Sequence, residues 1–255
     1  MIDSHCHLDR VADLEAALAN DLSAMVTVGT DAVRSERALE LALTHDRVWA
    51  TTGLHPTEAS HARDPSVRAR IEALAIHPRV VAVGETGIDL YWETDPIDVQ
   101  LQALRWQIEL AERCDKAVVL HVRDAHGSDE ASRSAARAVR ESGYRRGILH
   151  CTNGHPDLLE AGLETGWFVS FAGNLTYPKA HLVHAAARDV PDDRLLVETD
   201  SPFLAPVPRR GRPNVPGNVT HTAAYLAELR GVDLHALEGV LDHNARRVYA
   251  LPSPP

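Results

Sequence analysis

The stretch IDSHCHL (2–8) sets His5 and His7 one residue apart in a run that otherwise reads as a short apolar strand. Strand side chains alternate between faces, so both imidazoles share one face while Ser4 and Cys6 take the other. Two imidazoles placed this way can chelate one metal ion. Further along the chain, Glu85, His121, His150 and Asp200 each stand at or near the end of another strand-like run. Four histidines and two carboxylates exceed the need of one catalytic zinc, which commonly takes three protein ligands and a water. Two ions sharing Glu85 would use all six. Burying so many polar groups without partners would cost several kcal/mol, which argues that something binds them.

The elements that must position these residues are eight β-rich runs. They are IDSHCHL (2–8), AMVTVGT (24–30), VWATTGL (48–54), VVAVGET (80–86), KAVVLHVR (116–123), GILHCT (147–152), WFVSFAG (167–173) and LLVETD (195–200). Helical periodicity fills the gaps, as in DPIDVQLQALRWQIELAERC, and two further helical patterns follow the eighth run, one after Thr220 and one from Leu234 to Tyr249. Near-continuous apolar strands alternating with helices predict a parallel sheet covered on its outside, here a single-domain (β/α)₈ TIM-type barrel. The barrel is expected over residues 1–251, with 252–255 as a C-terminal tail. A doubly wound open sheet is the competing arrangement, but no GxGxxG or GxxxxGK[ST] follows any strand. In a barrel the chemistry gathers at the C-terminal ends of the strands. Runs one, three, four, five, six and eight all carry a histidine or carboxylate at or just beyond that end, and, Lys116 apart, their beginnings are apolar or small. If strand eight closes beside strand one, Asp200 comes to the His5–His7 pair.

The remaining histidines divide by pattern. His45, His61, His77, His181, His184, His235 and His243 sit in helical or turn sequence and read as solvated; His126, His155 and His221 open loops or helices near the expected top face. Cys6, Cys114 and Cys151 fit neither a disulfide framework nor a CxxC zinc site. A net charge of −10 argues against broad adsorption to nucleic acid or anionic membrane, though not against a local basic grip. No apolar run approaches the ~18 residues of a membrane span. A monomer in a reducing cytoplasm, without membrane association, is expected.

Taken together, DSHCHLD at the start, GLHP (53–56), GETGIDLY (84–91), HVRDA (121–125), HCTNG (150–154), ETDSPFLAP (198–206) and NARRVYAL after His243 resemble the TatD family of metal-dependent hydrolases, within the wider amidohydrolase-like barrels. The resemblance spans the chain in family order. It implies a two-metal barrel, with one ion held by His5, His7, Glu85 and Asp200 and the other by Glu85, His121 and His150. Departures fall elsewhere. RGRPNVPGNV (210–219) keeps Asn214 and Pro216 but has Val215 where the family usually has an acid and Asn218 where it has an aromatic; Thr152 likewise replaces a usual aromatic. Related barrels bridge their metals with a carboxylated lysine. Only two lysines occur here, Lys116 and Lys179, and Lys116 starts its strand, so Glu85 is the better bridge.

The expected chemistry is hydrolysis with two divalent ions. Four imidazoles favour zinc or manganese, with magnesium, which prefers oxygen ligands, bound more weakly. Asp200 is expected to accept the proton of the attacking water, Arg123 to contact an anion, His55 to donate to substrate or leaving group, and Asp89 to orient a ligand histidine. The resemblance favours DNA as substrate, single-stranded or at strand ends, with Arg209, Arg210 and Arg212 against the phosphate backbone. Hydrolysis of amide or aminoacyl-ester bonds on the same site is the alternative activity. A metal-binding protein without turnover is a third and weaker reading.

Overall fold

The structure, a computed structural model, describes residues 1–92 and 95–252. Of the expected tail, 252–255, only Pro252 lies among the described residues. Eight strands make one parallel sheet in sequential order: β1 (Ile2–Cys6), β2 (Ala24–Thr27), β3 (Val48–Thr52), β4 (Val80–Asp89), β5 (Ala117–Arg123), β6 (Gly147–Leu149), β7 (Phe168–Phe171) and β8 (Leu195–Val197). Each lies inside the run that predicts it, except β4, which continues to Asp89. The seam between β8 and β1 is closed by individual bonds. Ser4 Oγ donates to Val197 O at 2.8 Å, Asp200 N to His5 O at 2.9 Å and His7 N to Ser201 O at 2.7 Å. The expected barrel therefore forms, and its closure brings Asp200 beside His5.

The helices are α1 (Leu14–Leu18), α2 (Ala32–Thr44), α3 (Pro65–Ala75), α4 (Ile97–Arg113), α5 (Glu130–Ser142), α6 (Pro156–Thr165), α7 (His181–Asp189), α8 (Val219–Arg230) and α9 (Leu234–Tyr249). Sequence punctuates them. Asp31, Asp64 and Asp233 accept from backbone N–H groups at the starts of α2, α3 and α9, and glycines in the left-handed conformation end α5, α6 and α8.

Two apolar layers result. The larger lies between sheet and helices, where Met25, Leu120 and Val169 meet Leu41, Ile71, Leu104 and Leu226. The smaller fills the lower barrel interior with Ile2, Val26, Val119, Ile148 and Leu196, joined by Val248, Tyr249 and Leu251 around the end of α9. Tyr249 also donates its hydroxyl to Ser4 O at 2.8 Å, fixing this floor to β1. The upper interior is left for polar side chains.

Two register shifts turn key residues inward. Between Asp3↔Met25 and Cys6↔Thr27, β1 uses one residue more than β2. Ser4 consequently faces the interior and bonds Ser170 Oγ, while Cys6 joins the outer layer. The expectation that Ser4 shares a face with Cys6 is thus corrected: the extra residue puts Ser4 on the same side as His5. The same device recurs in β4, where Val83↔Val118 is followed by Thr86↔Leu120 with Glu85 inside the extra step. An added residue kinks a strand and re-aims its side chain. Gly84 allows it: its φ is +140°, and a Cβ there would stand 2.5 Å from Val119 O.

Candidate metal centre

Six side chains converge at the top of the barrel. His5 and Glu85 come from β1 and β4 and His121 from β5, while His7, His150 and Asp200 lie just beyond the ends of β1, β6 and β8. Four ligand atoms form one cage. His5 Nε2 lies 3.4 Å from His7 Nε2, 3.5 Å from Glu85 Oε2 and 3.6 Å from Asp200 Oδ1. His7 Nε2 lies 3.7 Å from Glu85 Oε2 and 3.2 Å from Asp200 Oδ1. A tetrahedron with metal–ligand bonds of about 2.1 Å has edges of about 3.4 Å, so these spacings are those of one ion's ligands.

A second cluster uses the other glutamate oxygen. Glu85 Oε1 lies 2.8 Å from His121 Nδ1 and 3.0 Å from His150 Nε2, and those two nitrogens are 3.4 Å apart. The far nitrogen of each of these histidines meets a carboxylate: His121 Nε2 contacts Asp89 Oδ2 at 2.9 Å and His150 Nδ1 contacts Glu198 Oε1 at 3.1 Å. Such outer carboxylates fix ring orientation and raise ligand basicity. The Nδ1 atoms of His5 and His7 have no hydrogen-bond partner among the described residues. Both oxygens of Glu85 thus face donor sets of the kind that hold a divalent cation.

Burial would raise the Glu85 carboxyl, but the imidazoles of His150, His121 and His5 outweigh it and hold the group well below the usual carboxylate range. The converse holds for His150. Burial opposes its charge, yet Glu85 and Glu198 push it well above the ordinary imidazole value. His55 differs: burial, reinforced by the nearby His121 charge, lowers it to about 3. Its Nδ1 accepts from Thr57 N at 3.2 Å, which leaves the proton on Nε2, 3.7 Å from Glu85 Oε1. His55 is thus a neutral N–H donor facing the site. It can hydrogen-bond an oxygen placed in the site.

Residues 2–250 match the family described as TatD related DNase. The chain belongs to that family. It is 37% identical over 267 residues to the uncharacterised metal-dependent hydrolase TatD of Mycobacterium tuberculosis, covering 98% of both chains. It is 32% identical over 260 residues to the uncharacterised metal-dependent hydrolase YabD of Bacillus subtilis, covering 98% of this chain and 99% of the other. The 3'-5' ssDNA/RNA exonuclease TatD of Enterobacter lignolyticus is 36% identical over 252 residues, with 95% and 94% covered. Among solved structures, the TatD homologue YJJV of Escherichia coli superposes with a TM-score of 0.87 at 27% identity, over 99% of this chain and 98% of the other. An organophosphorus hydrolase from Deinococcus radiodurans, at 13% identity and a TM-score of 0.60, shares the fold alone.

Among the described residues, the histidines other than His5, His7, His55, His121 and His150 join no ligand cluster. His184 Nε2 bonds Leu175 O at 2.8 Å, His155 starts α6, and His221 on α8 accepts from Arg209 Nε at 3.4 Å. Arg123 ends β5 with its guanidinium 3.7 Å from the Tyr91 ring centroid. Arg209, Arg210 and Arg212 are exposed on the loop after β8. Glu198, which contacts His150 Nδ1, is a residue of the candidate site that sequence reasoning missed. It lies just beyond the end of β8 and is identified only by its contact with His150, which comes from beyond the end of β6. Among the described residues no helix is long and apolar enough to cross a membrane.

Proposed function

We propose that the protein is a two-metal nuclease that removes nucleotides from an end of single-stranded DNA. The observation that carries this reading is Glu85, whose Oε2 faces the His5–His7–Asp200 cage while its Oε1 faces His121 and His150. Divalent ions held by His5, His7, Glu85, His121, His150 and Asp200 would supply an acidified water near neutral pH and charge stabilisation for a phosphoryl displacement. The chain's own groups supply the rest. Asp200 is the proton acceptor: its side chain is 14% exposed against 4% for Glu85, so it is the acid of the cage that an incoming water reaches. His55 Nε2–H donates to a substrate oxygen. Asp89 and Glu198 hold His121 and His150 in place. The arginines of the loop after β8 attract the phosphate backbone. The exonuclease name of the Enterobacter relative supports the choice of substrate.

The test combines metal analysis with an assay of the zinc- or manganese-loaded protein on end-labelled single-stranded DNA, aminoacyl-tRNA and simple esters in parallel. Close to two ions per chain are expected, with stepwise shortening of DNA, and Glu85→Ala should lower the metal count. One ion at saturation, unchanged by Glu85→Ala, would sink the bridge. Turnover confined to the aminoacyl ester would replace the nuclease by a deacylase.

A further inference from the structure

The loop after β4 carries two large aromatic side chains that the core does not use. Tyr91 and Trp92 are 48% and 56% exposed, edge to face with ring centroids 5.0 Å apart. Arg123 sets its guanidinium 3.7 Å from the Tyr91 centroid and 5.5 Å from that of Trp92. This turn is tied to the metal centre. Tyr91 N and Trp92 N both donate to Asp89 Oδ1, at 2.9 and 3.1 Å, while Asp89 Oδ2 contacts His121 Nε2, the nitrogen of that ring turned away from Glu85, at 2.9 Å. Buried Gln100 clamps the Asp89 peptide, accepting from its N–H at 2.8 Å and donating to its carbonyl at 3.0 Å. One carboxylate therefore couples an exposed aromatic pair to a ligand histidine.

Aromatic faces beside a cation are the chemistry that holds unpaired bases. Every base has a π face to stack, and a guanidinium can stack in turn or neutralise the neighbouring phosphate. Across the ring of strands, after β8, Phe203 is 45% exposed, with its ring 5.8 Å from that of His7 and Arg10 6.0 Å from its centroid. A strand drawn over the mouth meets an aromatic on each side of the ligand clusters.

We infer that Trp92, supported by Tyr91 and Arg123, is a nucleobase-stacking platform at the lip of the metal centre, selecting unpaired strands without reading base identity. The inference rests on the nuclease reading above. Duplex bases are already stacked on their neighbours and present only edges, so they gain nothing from Trp92.

Fluorescence anisotropy on the metal-loaded protein tests this with a phosphorothioate-linked oligo(dT) strand and an abasic strand of equal length and linkage. The base-bearing strand should bind at least about fivefold more tightly, the lower end of what one stacked base contributes. Trp92→Ala should abolish that preference, and Trp92→Phe should keep most of it. Equal binding of the two strands by the wild type, or a preference that survives Trp92→Ala, overturns the platform. Turnover of unmodified oligo(dT) separates the two readings. A protein that binds bases through Trp92 yet cleaves no strand keeps the platform and loses the nuclease. One that cleaves base-bearing and abasic strands with equal KM loses the platform and keeps the nuclease.

Discussion

At Asp200, ligation and proton transfer can be told apart by one atom. Its Oδ1 sits 3.2 Å from His7 Nε2 and 3.6 Å from His5 Nε2. Burial works against its charge, but His7 and His5 outweigh burial and hold its carboxyl below the ordinary value, so it is ionised at neutral pH. Asp200→Asn keeps an oxygen for weak ligation and removes the proton acceptor. Turnover should fall by at least ~10²-fold, the lower end of what a positioned general base contributes, while the Glu85–His121–His150 cluster keeps its ion. His5→Ala removes a ligand and no base, so added metal should partly restore it. Measuring kcat and metal content of both variants across a metal titration gives the answer; near wild-type kcat for Asp200→Asn at high metal would reduce Asp200 to a ligand. At this scale much was legible. His5, His7, Glu85, His121, His150 and Asp200 can be read as a convergent set because strand ends share one rim in a barrel. Glu198 escaped because it bonds His150 across two strands, a pairing that no local spacing announces.

Elements place these residues through details that hydrophobic pattern does not carry. Apolar alternation predicts eight strands, and eight form within the predicted runs, with β4 extended. Register is another matter. Strict alternation from Ile2, which packs in the barrel interior, would turn His5 outward; the extra residue between Asp3 and Cys6 restores it. That insertion depends on how β1 meets β2, so the sequence of β1 alone does not reveal it. The turn after β8 is held in a similar non-local way. Asn214 Nδ2 donates to Thr199 O at 2.9 Å and Phe203 O at 2.6 Å, bracketing Asp200 from both sides. Asn218, which departs from the family's usual aromatic, donates to Asn214 Oδ1 at 2.8 Å and orients that amide. Asn214→Ala leaves two inward carbonyls without this donor, at about 1–3 kcal/mol for each one that stays unsatisfied. The variant should melt earlier and also lose affinity for the ion of the His5–His7–Asp200 cage, a joint loss readable by calorimetry and metal titration. Wild-type affinity in a destabilised Asn214→Ala would mean that Asp200 finds its place without this bracket.

The whole molecule separates a dry lower barrel from a polar upper one, and this division decides what metal removal does. The floor is apolar side chains of the strands closed by Val248, Tyr249 and Leu251, with no charged group among them. Nothing in that packing requires an ion. The upper barrel is charge-compensated even without metal, since Glu85 is held ionised by the imidazoles around it and His150 is held protonated by Glu85 and Glu198. Removing the ions therefore leaves the Glu85 and Asp200 carboxylates beside His7, His121 and His150, whose pKa values neighbouring carboxylates raise, while burial lowers that of His5. An ion that binds only the folded chain still stabilises it, by about 2.7 kcal/mol at a hundredfold excess over its dissociation constant. For a domain of this size each kcal/mol moves the midpoint by roughly 2–4 °C, so one ion is worth roughly 5–11 °C. Chelation should accordingly lower the melting temperature by a shift of that order per ion lost while the far-UV circular dichroism at 25 °C stays unchanged. Returning zinc or manganese should recover the midpoint in a concentration-dependent way. A chelated protein that loses its helical signal at 25 °C would show that the upper barrel, and not the floor beneath it, holds the fold together.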